Sequence, residues 1–98
     1  MIVILVGLNV IDTESYKFYR DGMIPLLTAV GGYFKYDFTI DETLKSDTNS
    51  KINRLFLICF PSHTIKESFF NDEAYLAIKS TYFESAVANT TIIAEYET

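Results

Sequence analysis

At 98 residues, 49% of them hydrophobic and 15% aromatic, the chain is bounded to one compact domain with a small core, and a second domain is excluded. Eight Lys and Arg against thirteen Asp and Glu give a formal net charge of −5, a balance that excludes intrinsic disorder and, with the basic residues scattered, argues against a nucleic-acid partner. The single cysteine, Cys59, excludes an intramolecular disulfide and a multi-cysteine metal site, and its place in the apolar run Leu55 to Phe60 marks it as a buried, inert thiol.

Ile2 to Val10 is rich in β-branched residues without a helical period and reads as the first strand. Ile2, Ile4, Val6 and Leu8 fall on one face and Val3 and Leu5 on the other, so both faces need cover. Helices supply it on one side; on the other the simplest cover is the sheet of a second copy. The run has no preceding Lys or Arg and no small-residue cleavage site, and it falls well short of the ~20 residues that span a bilayer. Neither a signal peptide nor a membrane span is therefore expected, and a cytoplasmic location is.

Asp12 or Thr13 offers the next N-cap, and Tyr16, Tyr19, Met23, Leu26 and Val30 recur at steps of three and four, one face of an amphipathic helix. Pro25 lies inside it and removes the bond its N–H would give to the Asp21 carbonyl, which predicts a kink or break near Gly22. Gly31-Gly32 predicts a left-handed cap and a turn. Tyr33 to Ile40 is a second strand, with Phe34, Tyr36 and Phe38 opposite Tyr33, Lys35 and Asp37 on a wetter face. Asp41 to Asn53 is a polar loop. The third strand is Arg54 to Phe60, closed by Pro61. Thr64-Ile-Lys-Glu67 fits a capping box for a short helix with Ile65, Phe69 and Phe70 on its apolar side. Asn71-Asp72 interrupts it, and Asp72 caps a further segment whose Tyr75, Ile78, Tyr82 and Ala86 keep the helical rhythm. Asn89 reads as the stop before a fourth strand, Thr90 to Tyr96.

The order β-α-β-β-α-β predicts an α+β, ferredoxin-like domain over residues 1–98, a four-stranded antiparallel sheet with helices on one face. Certain residues carry a further likeness over nearly the whole chain: Ser15-Tyr16 to Tyr19, Pro25, Gly31-Gly32 and Tyr33, then Phe60-Pro61-Ser62 opening a helix that bears Phe69-Phe70 and Tyr75. In these the chain resembles the domain-of-unknown-function 1330 family of the dimeric α+β barrel superfamily. The resemblance implies a protomer whose open sheet face packs on that of a twin, with a cleft between sheet and helices in each subunit. It implies no activity, because the superfamily includes cofactor-free monooxygenases, isomerases, haem-dependent enzymes and stress-related proteins. The chain departs from the family pattern at Val30 and Tyr33, where polar groups usually flank the glycine pair, and at Asp72-Glu73, which replaces a commoner Ser-Pro.

His63 is the only histidine and so the candidate proton carrier, or haem ligand, provided that it faces the cleft. Tyr16, Tyr19 and Tyr75 fall on the buried stripes of the helices and are the candidate ligand-binding residues: phenols around an apolar pocket suit a small apolar or aromatic molecule. Phe18 and Phe83, off the stripes, are rim or interface candidates. Gly31-Gly32 ends a helix, whereas a phosphate cradle opens one. No nucleophile elbow or metal-ligand motif is present in the sequence, and no cofactor is expected. The leading expectation is a homodimeric small-molecule-binding domain, possible enzyme activity included. The alternative is a structural or protein-interaction module whose cleft is filled by its own aromatics.

Overall fold

A computed structural model describes residues 1–98. Its strands are β1 (Ile2–Val10), β2 (Tyr33–Thr39), β3 (Arg54–Phe60) and β4 (Val87–Glu97), and its helices are α1 (Thr13–Ala29), α2 (His63–Phe70), α3 (Glu73–Ile78) and the single turn α4 (Glu84–Ala86). A π-helical turn, Lys79–Phe83, joins α3 to α4. The strands form one antiparallel sheet in the order β2-β3-β1-β4, which is the α+β, ferredoxin-like arrangement. No helix is long and apolar enough to cross a membrane.

The two-sided hydrophobicity of β1 follows from its central place between β3 and β4. Ile2, Ile4, Val6 and Leu8 are all buried against the helices, in one core with Tyr16, Tyr19, Met23, Leu27, Phe56, Ile58 and Phe60. The other face of the sheet has no helix over it. There Leu5, Leu55 and Leu57 are only partly buried, while Tyr33, Tyr36, Phe38 and Tyr96 are exposed. Part of this face is covered by the loop between β2 and β3. Ile52 rests on Gly7 so closely that a Cβ there would lie 2.8 Å from its Cδ1. Thr43 Oγ1 clasps the same loop by accepting from the Ile52 N–H at 2.8 Å and donating to the Ile52 carbonyl at 2.7 Å.

Helix α1 starts where Asp12 Oδ1 accepts from the Ser15 N–H at 3.0 Å. It is not broken at Gly22. Pro25 and Asp21 both lie on the exposed side, so the carbonyl that Pro25 leaves unbonded meets water, while the buried side of the same turns holds Met23 and Leu27 against the sheet. The helix ends in a Schellman motif: Gly31, at φ 81°, takes the left-handed position, the Gly32 N–H donates to the Leu27 carbonyl at 2.9 Å and the Gly31 N–H to that of Thr28 at 3.0 Å.

Three local expectations are corrected. The cap of α2 is Ser62, whose Oγ accepts from the Ile65 N–H at 3.2 Å, so Thr64 lies inside the helix and Thr64-Glu67 is not its capping box. Strand β4 begins at Val87, and Asn89 pairs with Asn9 inside it. Pairing along the full length of β1 outweighs the low strand propensity of asparagine. In β2 the strict alternation fails, because a bulge at Lys35 lets Phe34 pair with Ile58 and Tyr36 with the next residue back, Leu57. One extra residue exchanges the faces beyond it. Tyr36 and Phe38 therefore stack on the open side, ring centroids 6.0 Å apart, and Asp37 turns under the helices, away from Lys35.

Candidate functional site

Between the helix-facing side of the sheet and the helices lies a cavity of about 270 Å³. Since an apolar cavity of about 150 Å³ is enough for benzene, this one accommodates a ring with substituents. Ile4, Val6, Phe56 and Ile58 form its floor, and Tyr16, Tyr19, Met23 and Tyr75 its helical wall. All three tyrosines expected at a ligand site thus line one cavity. The exposed members of the lining, Thr90 and Ile92, are both on the edge strand β4, so the cavity opens along that edge.

The hydroxyls are arranged in two groups. Tyr19 and Tyr75 share a hydrogen bond of 2.8 Å between their oxygens, which occupies one of their two protons. Tyr16 Oη accepts from Arg20 Nε at 2.7 Å, leaving its own proton to be donated elsewhere. Burial raises the pKa of all three phenols. For Tyr19 the neighbouring Tyr75 adds to the effect, whereas for Tyr16 the charges of Arg20 and Arg54 offset part of it. Each is therefore a neutral hydrogen-bond donor at physiological pH and not a phenolate base.

Behind Tyr16 stands a charge cluster. Arg20, 7% exposed, places its guanidinium 3.8 Å from the centroid of the Phe34 ring and 4.9 Å from that of Phe56. It binds Asp37 in a fork, Nη1 to Oδ2 at 3.1 Å and Nη2 to Oδ1 at 3.2 Å. Arg54 binds the same carboxylate through Nε and Nη2, both at 2.8 Å. Burial opposes ionisation of Asp37, but the Arg54 hydrogen bonds and the two positive charges outweigh it and hold the carboxyl below its ordinary pKa. The same pairing raises that of Arg54.

The wall opposite α1 depends on the π turn. Its i→i+5 bond, from the Glu84 N–H to the Lys79 carbonyl, turns each residue through a smaller angle than an α-helix does. Tyr75, Lys79 and Phe83, each four residues on from the last, consequently all reach the cavity. Phe83 packs on Tyr19 with ring centroids 4.8 Å apart. Tyr82, expected on the buried stripe, is instead half-buried against exposed Phe18, 5.8 Å between centroids. Phe83 is a cavity residue and Phe18 a surface one. His63 is exposed at the first position of α2 and does not line the cavity.

Sequence reasoning missed Arg20, Asp37, Arg54 and Lys79. Two of these had a visible signal: Arg20 follows Tyr16 by four on the buried side of α1, and Arg54 keeps step with Phe56, Ile58 and Phe60 along β3. Asp37 had none, since its face is set by the bulge.

No family model matches the chain, and no curated protein matches it. Solved structures do match. RPA0582 from Rhodopseudomonas palustris, a protein of unknown function, superposes with a TM-score of 0.83 at 16% identity, over 99% of this chain and 81% of that one. An uncharacterised NIPSNAP domain protein from Burkholderia xenovorans gives 0.71 at 12% identity, over 100% and 94%. At3g17210 from Arabidopsis thaliana gives 0.66 at 11%, over 100% and 95%. At these identities the likeness is one of fold.

Proposed function

We propose that this chain is a homodimeric binding domain for a small, largely apolar or aromatic molecule, held in the cavity between helices and sheet, and that it belongs with the domain-of-unknown-function 1330 proteins whose motifs it resembles. The observation that carries the reading is the open volume beneath Tyr16, Tyr19 and Tyr75. A module whose cleft is packed by its own aromatics would have no such space. Affinity comes from burying the ligand's apolar surface on Ile4, Val6 and Ile58, and orientation from two phenolic protons, that of Tyr16 and the one left over by the Tyr19–Tyr75 pair. Chemistry on a bound carbonyl compound would take the form of polarisation by these neutral donors, with no metal needed for that step.

Binding is read by isothermal titration with 4-ethylbenzyl alcohol and 4-ethylbenzoate. Tyr16→Phe and Tyr75→Phe each weaken the better of the two by about 5- to 10-fold, the worth of one neutral hydrogen bond, measured well below the unfolding midpoint, which falls in Tyr16→Phe because the buried Arg20 Nε loses its acceptor. Equal affinity in wild type and both variants would remove the tyrosines from the site.

A further inference from the structure

The polar residues that line the cavity are Tyr16, Tyr19 and Tyr75, with neutral phenols, and Thr90, Arg20 and Lys79. Arg20 is forked onto Asp37, which it shares with Arg54, so that cluster keeps one net positive charge but has its guanidiniums turned to the carboxylate behind Tyr16. The five ion pairs of the chain engage Arg20, Lys45, Arg54 and Lys66, and Lys79 takes part in none of them. Nor does its Nζ donate to any oxygen of the protein, although the side chain is half-buried. The ammonium therefore has no partner within the protein and is free to pair with a group brought into the cavity. Lys79 stands one helical turn along the wall from Tyr75, where α3 passes into the π turn. The phenolic protons not used within the protein also offer donation.

We infer that the ligand is a carboxylate: a small organic acid whose apolar or aromatic body lies on the floor of the cavity and whose anionic group pairs with Lys79 near the opening along β4. This rests on the reading of the cavity as a ligand site and adds the chemical class. The chain's net charge of −5 disfavours anions at long range, so the local positive charge has to supply the selectivity. A carboxylate matches the unpaired Lys79 ammonium, and a charge-assisted hydrogen bond is stronger than one to a neutral hydroxyl.

The matched pair 4-ethylbenzoate and 4-ethylbenzyl alcohol, titrated calorimetrically against wild type, Lys79→Met and Lys79→Arg, tests this. The acid is expected to bind wild type about tenfold more tightly than the alcohol. Lys79→Met abolishes that preference by weakening the acid only, and Lys79→Arg keeps it. An equal affinity of wild type for the two probes, or a preference that survives Lys79→Met, overturns the inference and leaves the binding-domain reading in place. Failure of wild type to bind either probe overturns both.

Discussion

Replacing Asp37 with alanine is expected to lower the stability of the fold by about 3 kcal/mol, the low end of the ~3–5 kcal/mol for removing one partner from a buried ion pair. The low end applies because the Asp37 side chain is 30% exposed and that of Arg54 26%, so water recovers part of the loss. The Arg20 side chain, at 9%, has no such recourse. Once the carboxylate is gone, its guanidinium stays between Phe34, Phe56 and Tyr16 with a positive neighbour in Arg54 and nothing to balance either. The pH dependence has a definite sign. Asp37 has a lower pKa in the folded chain than the ordinary aspartate value of about 3.9, so the unfolded chain takes up its proton first. The stabilisation is complete above about pH 5 and is lost as pH falls through the folded-state value. Urea denaturation at neutral pH, followed down an acid series, measures both effects. An Asp37→Ala protein with the wild-type midpoint, or with an unchanged acid slope, contradicts the role given to this cluster.

The second large effect concerns the open face of the sheet. Sedimentation equilibrium is expected to give a dimer at micromolar concentration, and Leu57→Glu a monomer, a weakening of association by at least about 100-fold if a charge is left buried without a partner. The choice of a second copy as the occupant follows from the distribution of charge. Although the chain has thirteen acidic residues, those of β4 that pair with β1, Glu95 and Glu97, are aligned with Ile4 and Ile2 and so share the helix side of the sheet. Asp37 is on that side too. The open face presents Leu5, Leu55, Leu57 and the stacked rings of Tyr36 and Phe38, a patch without a carboxylate among its paired strand residues, which an identical, equally acidic molecule can approach with little repulsion. Because the cavity is on the opposite side, monomeric Leu57→Glu should still bind the ethylbenzoate probe. Sedimentation of wild type as a monomer at that concentration would refute the dimer.

What the sequence made legible and what it hid differ in physical kind. The central strand announced itself because a run apolar on both faces from Ile2 to Leu8 has no other stable place in a small α+β fold, and the α1 stripe did so because helical periodicity is long enough to average out Pro25. Tyr16, Tyr19 and Tyr75 were readable as one group for the same reason. The bulge at Lys35 and the π turn at Lys79–Phe83 were not. Each adds a single residue to a regular element, and each is decided by what the element packs against, yet one residue is enough to exchange the faces of a strand or shift the lining of a helix. Asp37, Lys79 and Phe83 all lie in or just beyond such an irregularity. Lys79 in the cavity wall and the carboxylate behind Arg20 were therefore hidden even though the apolar walls were plain.

The phenols that line the cavity also make it an optical reporter. With seven tyrosines and no tryptophan, the near-ultraviolet absorbance of this protein is dominated by phenol, and Tyr16, Tyr19 and Tyr75 hold their protons in the folded chain beyond the ordinary tyrosine value of about 10. Above that pH the unfolded chain releases protons that the native one retains, so alkali drains stability through this site. In an alkaline titration the phenolate absorbance of these three should rise together with the loss of near-ultraviolet circular dichroism, and a ligand occupying the cavity should move both to higher pH. If all seven phenols ionise in one step before the dichroism changes, the three are not sealed from solvent.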